Sequence, residues 1–164
     1  MPMIDHFLAE LDQEAVATRR LLDRVPATQL GWRPHPKSFS LGQLALHVAS
    51  IPGNIAAMAI PDVCELPDMQ QAEATSAGEI MTVFEEGLKE ARRLLAPLSD
   101  QQMSAEWSVT RNGETVLTMP RMAVIRTIML NHFYHHRGQL TVYLRELDVP
   151  LPSVYGPTAD EAFG

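Results

Sequence analysis

Apolar residues recur at three- and four-residue steps through most of this chain, and they fall into four runs. In the first, Ile4, Phe7, Leu8, Leu11, Ala15, Leu22 and Val25 line one stripe, with Asp12, Glu14, Arg19 and Arg20 largely off it. This pattern predicts an amphipathic helix over about 3–24, which Pro26 ends. A polar loop through Trp32, Pro34 and Pro36 leads to Ser40, whose hydroxyl can cap a second helix while Gln43 reaches back in a capping-box pattern. Leu41, Leu44, Ala45, Val48, Ile51, Ile55 and Met58 carry that helix to about residue 58, and Pro52 is expected to kink it or fix its end. A loop rich in Pro, Asp and Gln follows over about 61–75. Ser76 and Glu79 give a second capping-box signal, and Ile80, Val83, Phe84, Leu88, Ala91, Leu94 and Leu95 mark a third helix that ends near Pro97.

Between about 106 and 119 the period changes from helical to alternating. Asn112-Gly113 stands between two short runs there and suits a type I′ turn, which predicts a β-hairpin. Pro120 can open a long fourth helix, at a position where its missing amide donor costs nothing; the helix should run to about Asp148, ahead of Pro150 and Pro152. The tail over 153–164 reads as irregular. Two adjacent strands are too few for a βαβ architecture. The expected fold is therefore an all-α four-helix bundle with a short β-hairpin between helices three and four, forming one domain over 1–164.

Composition narrows the function. The 164 residues are 46% hydrophobic and 20% charged, enough for a sizeable core. Lys and Arg number 13 against 20 Asp and Glu, a net charge of −7 that opposes wrapping a phosphate backbone, so no nucleic-acid partner is expected. No apolar run approaches the roughly 18 residues that span a bilayer, so no membrane partner is expected either. The single cysteine, Cys64, cannot form an intrachain disulfide, and no basic, then apolar, leader opens the sequence; both suit a reducing cytoplasm.

Chemistry concentrates in the fourth helix. Its inner stripe reads Ile125, Ile128, Met129, His132, His136, Gln139, Leu140, Tyr143 and Leu147. His132 and His136 lie one turn apart on the same face, so both rings can turn toward one ion; His135 falls toward the edge of the stripe. Bundle metal sites recruit ligands from facing helices, and His47, one turn from Leu44 and Ile51, is placed to join the pair. Three neutral imidazoles would hold a divalent ion such as zinc or nickel at roughly 2.0–2.2 Å with a position left open. A hydrogen-bonded pair of core histidines would satisfy the same pattern, and position alone does not separate the two.

Several chemistries are missing. No histidine has Glu three residues before it, as the di-iron carboxylate bundles require, and there is neither a His-Glu-x-x-His motif nor a glycine-rich phosphate loop. Cys64 shows no sign of activation by a base and reads as an inert thiol. Arg137 is expected to meet solvent or an acidic neighbour, and Trp32 and Trp107 to serve as core or rim packing.

Four stretches taken together are specific: WRPHPKS at 32–38, SLGQLALH at 40–47, HFYHHRGQ at 132–139 and YGPTADE at 155–161. Through them the sequence resembles, over essentially its whole length, the DinB-like family of metalloenzymes, a superfamily that also contains thiol-dependent transferases and isomerases. It is distinct from the DNA polymerase that shares the historical name. The resemblance implies a four-helix bundle in which His47, His132 and His136 bind a divalent metal. It places His135 near the site without making it a ligand, and suggests that Gln139 and Asn131 orient imidazoles. It further implies a homodimer, and an ion that lowers the pKa of a small-molecule thiol, generating a thiolate that attacks an electrophilic substrate. Metal-assisted hydrolysis is an alternative, although the inner stripes offer no acidic general base. A non-catalytic, stress-related metal-binding bundle is another, although an open three-histidine site is unlike a closed structural one.

Overall fold

A computed structural model describes residues 1–66 and 70–162. In chain order it contains α1 (Met3–Leu22), a 3-10 turn (Ala27–Gln29), α2 (Leu41–Ala59), β1 (Val63–Glu65), α3 (Ala77–Leu95), α4 (Asp100–Ser104), β2 (Glu106–Arg111) and β3 (Glu114–Pro120). The last helical segment is continuous but not uniform: α5 (Arg121–Ala123), a π-helical stretch (Val124–Asn131) and α6 (His132–Glu146). The protein is thus mostly helical, with a small three-stranded sheet.

Cross-helix pairs fix the helix directions. Arg19 with Glu85 and Asp12 with Arg92 set α1 antiparallel to α3, while Glu10 with Arg126 and Glu14 with Arg137 set α1 parallel to the last segment. Gly42 lies against Glu73, just ahead of α3, and Gly53 lies against Gly87, so α2 and α3 run parallel. Parallel neighbours need a long return connection, and that is the work of the segment over 60–76. One apolar core, including Leu11, Leu44, Val48, Phe84, Leu88, Phe133 and Leu140, fills the space between the helices.

Two helix starts behave differently. Ser40 and Gln43 form both halves of a capping box. At α3 only half forms: Ser76 Oγ accepts from the Glu79 amide at 3.0 Å, but the Glu79 carboxylate reaches one residue further back, to the amide and hydroxyl of Thr75. A third box, Ser99 with Gln102, starts the short α4, an element the sequence reading lacks although it carries the same Ser-x-x-Gln signal. α2 continues through the buried Pro52 to Ala59, close to the end its apolar stripe predicts.

The loop expected over 61–75 contains β1, which pairs parallel with β2, Cys64 lying opposite Val109. β2 and β3 form the antiparallel pair, and their turn places Asn112 at φ +54° and Gly113 at φ +81°, the two positive values a type I′ turn needs. The expected hairpin is therefore two strands of a three-stranded sheet. Three residues are too few to display a period, and β1 owes its conformation to the free edge of β2. The sheet closes the C-terminal end of α2. Trp107, buried, donates from Nε1 to the Met58 carbonyl at 3.0 Å, and the buried Arg121 donates to the carbonyls of Ala59 at 2.7 Å and Gln102 at 2.6 Å. A guanidinium at a helix C-terminus is favourably placed against the helix dipole.

α2 and α3 touch backbone to backbone. A Cβ on Gly53 would stand 2.8 Å from Gly87 Cα, a contact no neighbouring side chain can relieve. Alanine normally favours a helix interior over glycine by about 1 kcal/mol. Here Gly53→Ala is expected to reverse that sign and destabilise the fold by about 1–3 kcal/mol, through helix separation, as read from the urea midpoint.

Candidate metal centre

The three candidate ligands come from two helices that run past each other. His47 sits on the flank of α2, whose entry is fixed by the Ser40–Gln43 box. His132 and His136 open α6, directly after the π-helical stretch. A regular α-helix was the expectation over this region, and the observed turns are wider. The reason lies in the core: the buried pairs Val124/Ile125 and Met129/Leu130 recur five residues apart, a spacing that shares one face only if the turn widens. Such widened turns often accompany functional sites. The Thr127 hydroxyl donates to the Ala123 carbonyl at 2.6 Å within this stretch.

The imidazoles converge. One nitrogen from each of His47, His132 and His136 lies within 4.8 Å of the others, and the ring centroids are 5.0, 4.5 and 4.6 Å apart. His47 Nε2 and His132 Nε2 are 3.1 Å apart. Two ligands on bonds of about 2.1 Å, at angles between about 90° and 110°, are separated by roughly that distance. All three rings are half-buried.

Hydrogen bonds set the tautomers. His47 Nδ1 meets Gln71 Oε1 at 2.8 Å, and His136 Nδ1 meets Gln139 Oε1 at 2.7 Å. An amide oxygen only accepts, so each Nδ1 carries the proton and each Nε2 keeps its lone pair. His132 Nδ1 is buried with no partner of good hydrogen-bond geometry, although the Ile128 backbone lies near enough to favour the protonated ring slightly. Burial, ahead of every other influence, holds the pKa of all three imidazoles below the ordinary 6.5, and mutual repulsion adds to it. Three neutral nitrogen donors held close together, without a carboxylate in the cluster among the described residues, are a donor set that suits a divalent transition metal.

The surrounding residues sort clearly. Phe39 lies edge-on to His47 at 5.9 Å, its carbonyl accepts from the Tyr143 hydroxyl at 3.2 Å, and Trp32 meets Tyr143 edge-on at 5.6 Å. These three rings form an aromatic rim beside the cluster. His135 is exposed, with its ring 4.8 Å from that of His136, and stands outside the cluster; Asn131 is also exposed. Gln139 takes the orienting position expected of it, whereas Gln71 was not anticipated, since the loop that carries it shows no period.

Other singled-out residues belong elsewhere. Arg137 is buried, away from solvent, and pairs with Glu14 at 2.7 Å. Tyr134 turns to Glu10 at 2.8 Å, and burial, then that carboxylate, push its pKa far above the ordinary value. Cys64 lies in β1, where burial and Glu65 raise its pKa, so the thiol stays protonated. Tyr155 and Asp160 fasten the tail: the Tyr155 hydroxyl donates to Glu14 at 2.9 Å, and Asp160 accepts from Arg145 at 2.5 Å and from the Leu151 amide at 2.9 Å.

A helical protein with a three-histidine cluster between two of its helices is the class that fold and site define together. The chain belongs to the DinB family, whose sequence model matches residues 1–162. It is 26% identical to the uncharacterized protein YrdA of Bacillus subtilis (strain 168), over 96% of this chain and 91% of that protein. In fold it is similar to a DinB-like protein from Bacillus cereus ATCC 10987, with a TM-score of 0.69 and 23% identity over 92% of this chain and 97% of that one. A DinB-like protein from Bacillus subtilis, YjoA, also gives a TM-score of 0.69, with 17% identity over 91% and 96% of the two chains. No helix among the described residues is long and apolar enough to cross a membrane.

Proposed function

We propose that this protein is a metal-dependent enzyme built on a DinB-like four-helix bundle, with His47, His132 and His136 holding a zinc or nickel ion and a low-molecular-weight thiol as co-substrate. The convergence of three neutral imidazoles, with no fourth donor in the cluster among the described residues, is the observation that carries this reading, because it leaves room for an exogenous ligand. The ion supplies Lewis acidity, lowering the pKa of a thiol so that it serves as a nucleophile near neutral pH.

The chain's own residues do the rest. Gln71 and Gln139 hold the protons of His47 and His136 on Nδ1, which keeps Nε2 available as a donor. Phe39 beside His47, with Tyr143 and Trp32 next to it, offers an apolar surface to the electrophile. A carboxylate general base, which metal-assisted hydrolysis would use, is absent from the cluster among the described residues, and that favours thiol transfer over hydrolysis.

The test is the metal content of protein purified without an affinity tag, followed by thiol addition to a cobalt-substituted sample. Near-stoichiometric metal and a thiolate charge-transfer band are expected. Bound metal with no spectral response to any small thiol would remove the transferase reading. A folded protein that refuses zinc, nickel and cobalt would remove the site.

A further inference from the structure

We propose that Gln71, on the crossover between β1 and α3, is a positioning residue: its side-chain oxygen fixes which nitrogen of His47 carries the proton, and so couples docking of the segment over 70–74 to metal binding. The coupling rests on the reading of His47, His132 and His136 as ligands; the control of the His47 proton does not.

The contact is specific in its polarity. Gln71 Nε2 donates to the Ala72 carbonyl at 3.3 Å, which leaves Oε1 as the atom that faces His47 Nδ1 at 2.8 Å. An acceptor there demands a proton on Nδ1. An unconstrained neutral imidazole favours the proton on Nε2, the nitrogen that has to be bare in this cluster. Gln71 therefore holds His47 in the less common tautomer and aims its lone pair toward His132 Nε2, 3.1 Å away.

Gln71 is itself held by α2. Its carbonyl accepts from Gln43 Nε2 at 3.2 Å, and Gln43 Oε1 accepts from the Ser40 amide at 3.0 Å as part of the capping box. The Ser40 hydroxyl in turn donates to Glu73. A helix cap, a return segment and a metal ligand thus form one hydrogen-bonded unit. His136 has no such arrangement: its orienting Gln139 sits three residues along the same helix and is held whatever the crossover does. Because coupling between two binding events is reciprocal, an ion on His47 should tighten the 70–74 segment by the same factor that the docked segment strengthens the ion.

The experiment uses the full chain as wild type, Gln71→Ala and Gln71→Glu. In metal-free protein above the imidazole pKa, long-range proton–nitrogen spectra should report His47 protonated on Nδ1 in the wild type and shifted toward Nε2 in Gln71→Ala. Chelator competition should show zinc and cobalt bound about 10–100-fold more weakly by Gln71→Ala. Gln71→Glu should restore both readouts, since a carboxylate accepts the same proton. Zinc should slow amide hydrogen exchange over 70–74 in the wild type and less so in Gln71→Ala. An unchanged tautomer with wild-type affinity in Gln71→Ala would overturn the proposal. A wild type that binds neither ion would overturn the coupling together with the reading beneath it, and the tautomer shift would then stand as Gln71's whole role.

Discussion

Arg137→Ala is expected to lose about 3–5 kcal/mol of unfolding free energy in a urea titration. The guanidinium is 2% exposed and is held by the Glu14 carboxylate at 2.7 Å, Thr18 Oγ1 at 3.1 Å, the Glu14 carbonyl at 3.3 Å and the Tyr155 hydroxyl at 2.6 Å. It also lies over the rings of Tyr134 and Tyr155, 5.3 and 5.0 Å from their centroids. Alanine removes all of this and leaves Glu14, only 9% exposed, without its counter-charge. The size of the effect comes mainly from that orphaned charge, and a second variant tests the point. Removing both charges in Arg137→Met with Glu14→Leu should recover most of the loss, because no buried ion remains. Arg19→Ala breaks a bidentate pair with Glu85 whose partners both stay in contact with solvent, 41% and 49% exposed, and should cost no more than about 1 kcal/mol. Since Tyr155 bonds to both members of the buried pair, the tail around it should become protease-sensitive in Arg137→Ala. A stability within about 1 kcal/mol of wild type would show that the pair is dispensable.

Arg137 marks where sequence reading stops. That it would meet an acidic neighbour could be reasoned from its type, but its burial depends on how α1 and α6 face each other, and no local pattern encodes that. The long helices were readable because each has a dense apolar stripe and a punctuating residue at its end: Pro26, Ser40, Ser76, Pro120. The type I′ turn was readable because Asn-Gly is nearly a conformational instruction. β1 was not, since three residues between prolines have no period and take their form from β2. The π-helical turns left a trace in the five-residue recurrence of Val124/Ile125 and Met129/Leu130, but with Ile128 and His132 also apolar or inward-facing, a 3.6-residue stripe accounts for the same letters.

The candidate site divides along the same line. His132 and His136 can be paired from spacing alone, and His47 joins them because two helices that both carry inward histidines bring them together when packed. The orienting role of Gln139 is implied by the family resemblance, and its place three residues beyond His136 on α6 lets the two side chains meet. Gln71 cannot be found in this way: its role arises from a return segment laid across α2, a tertiary fact. The tail residues Tyr155 and Asp160 are similar, meaningful only once Glu14, Arg137 and Arg145 are in place around them.

Loss of one candidate ligand should be the largest effect on the site itself. His132→Ala is expected to fall from near-stoichiometric metal to almost none after dialysis, with affinity lowered by about a hundredfold or more, beyond the 10–100-fold typical of losing an outer partner. His132 is the member whose Nε2 faces His47 at 3.1 Å, so its removal opens one edge of the triad, whereas the exposed His135, outside the cluster, should be replaceable by alanine with metal retained. The pH dependence follows from the lowered imidazole pKa values. Protons compete for Nε2 only below those values, so metal binding should hold as the pH falls past 6.5 and weaken further down, later than at an exposed three-histidine site. Metal-free protein carries the same signature in its stability. Between the lowered values and 6.5 the unfolded chain binds more protons than the folded one, so the contribution of these rings is complete above 6.5 and lost as the pH falls through the lowered values. With one of the three rings gone and repulsion on the others relieved, His132→Ala should show a shallower rise of urea stability between about pH 5 and pH 7. Equal slopes in the two proteins would mean that the imidazoles are not held neutral by their burial together, and equal metal content would mean that His132 is not a ligand.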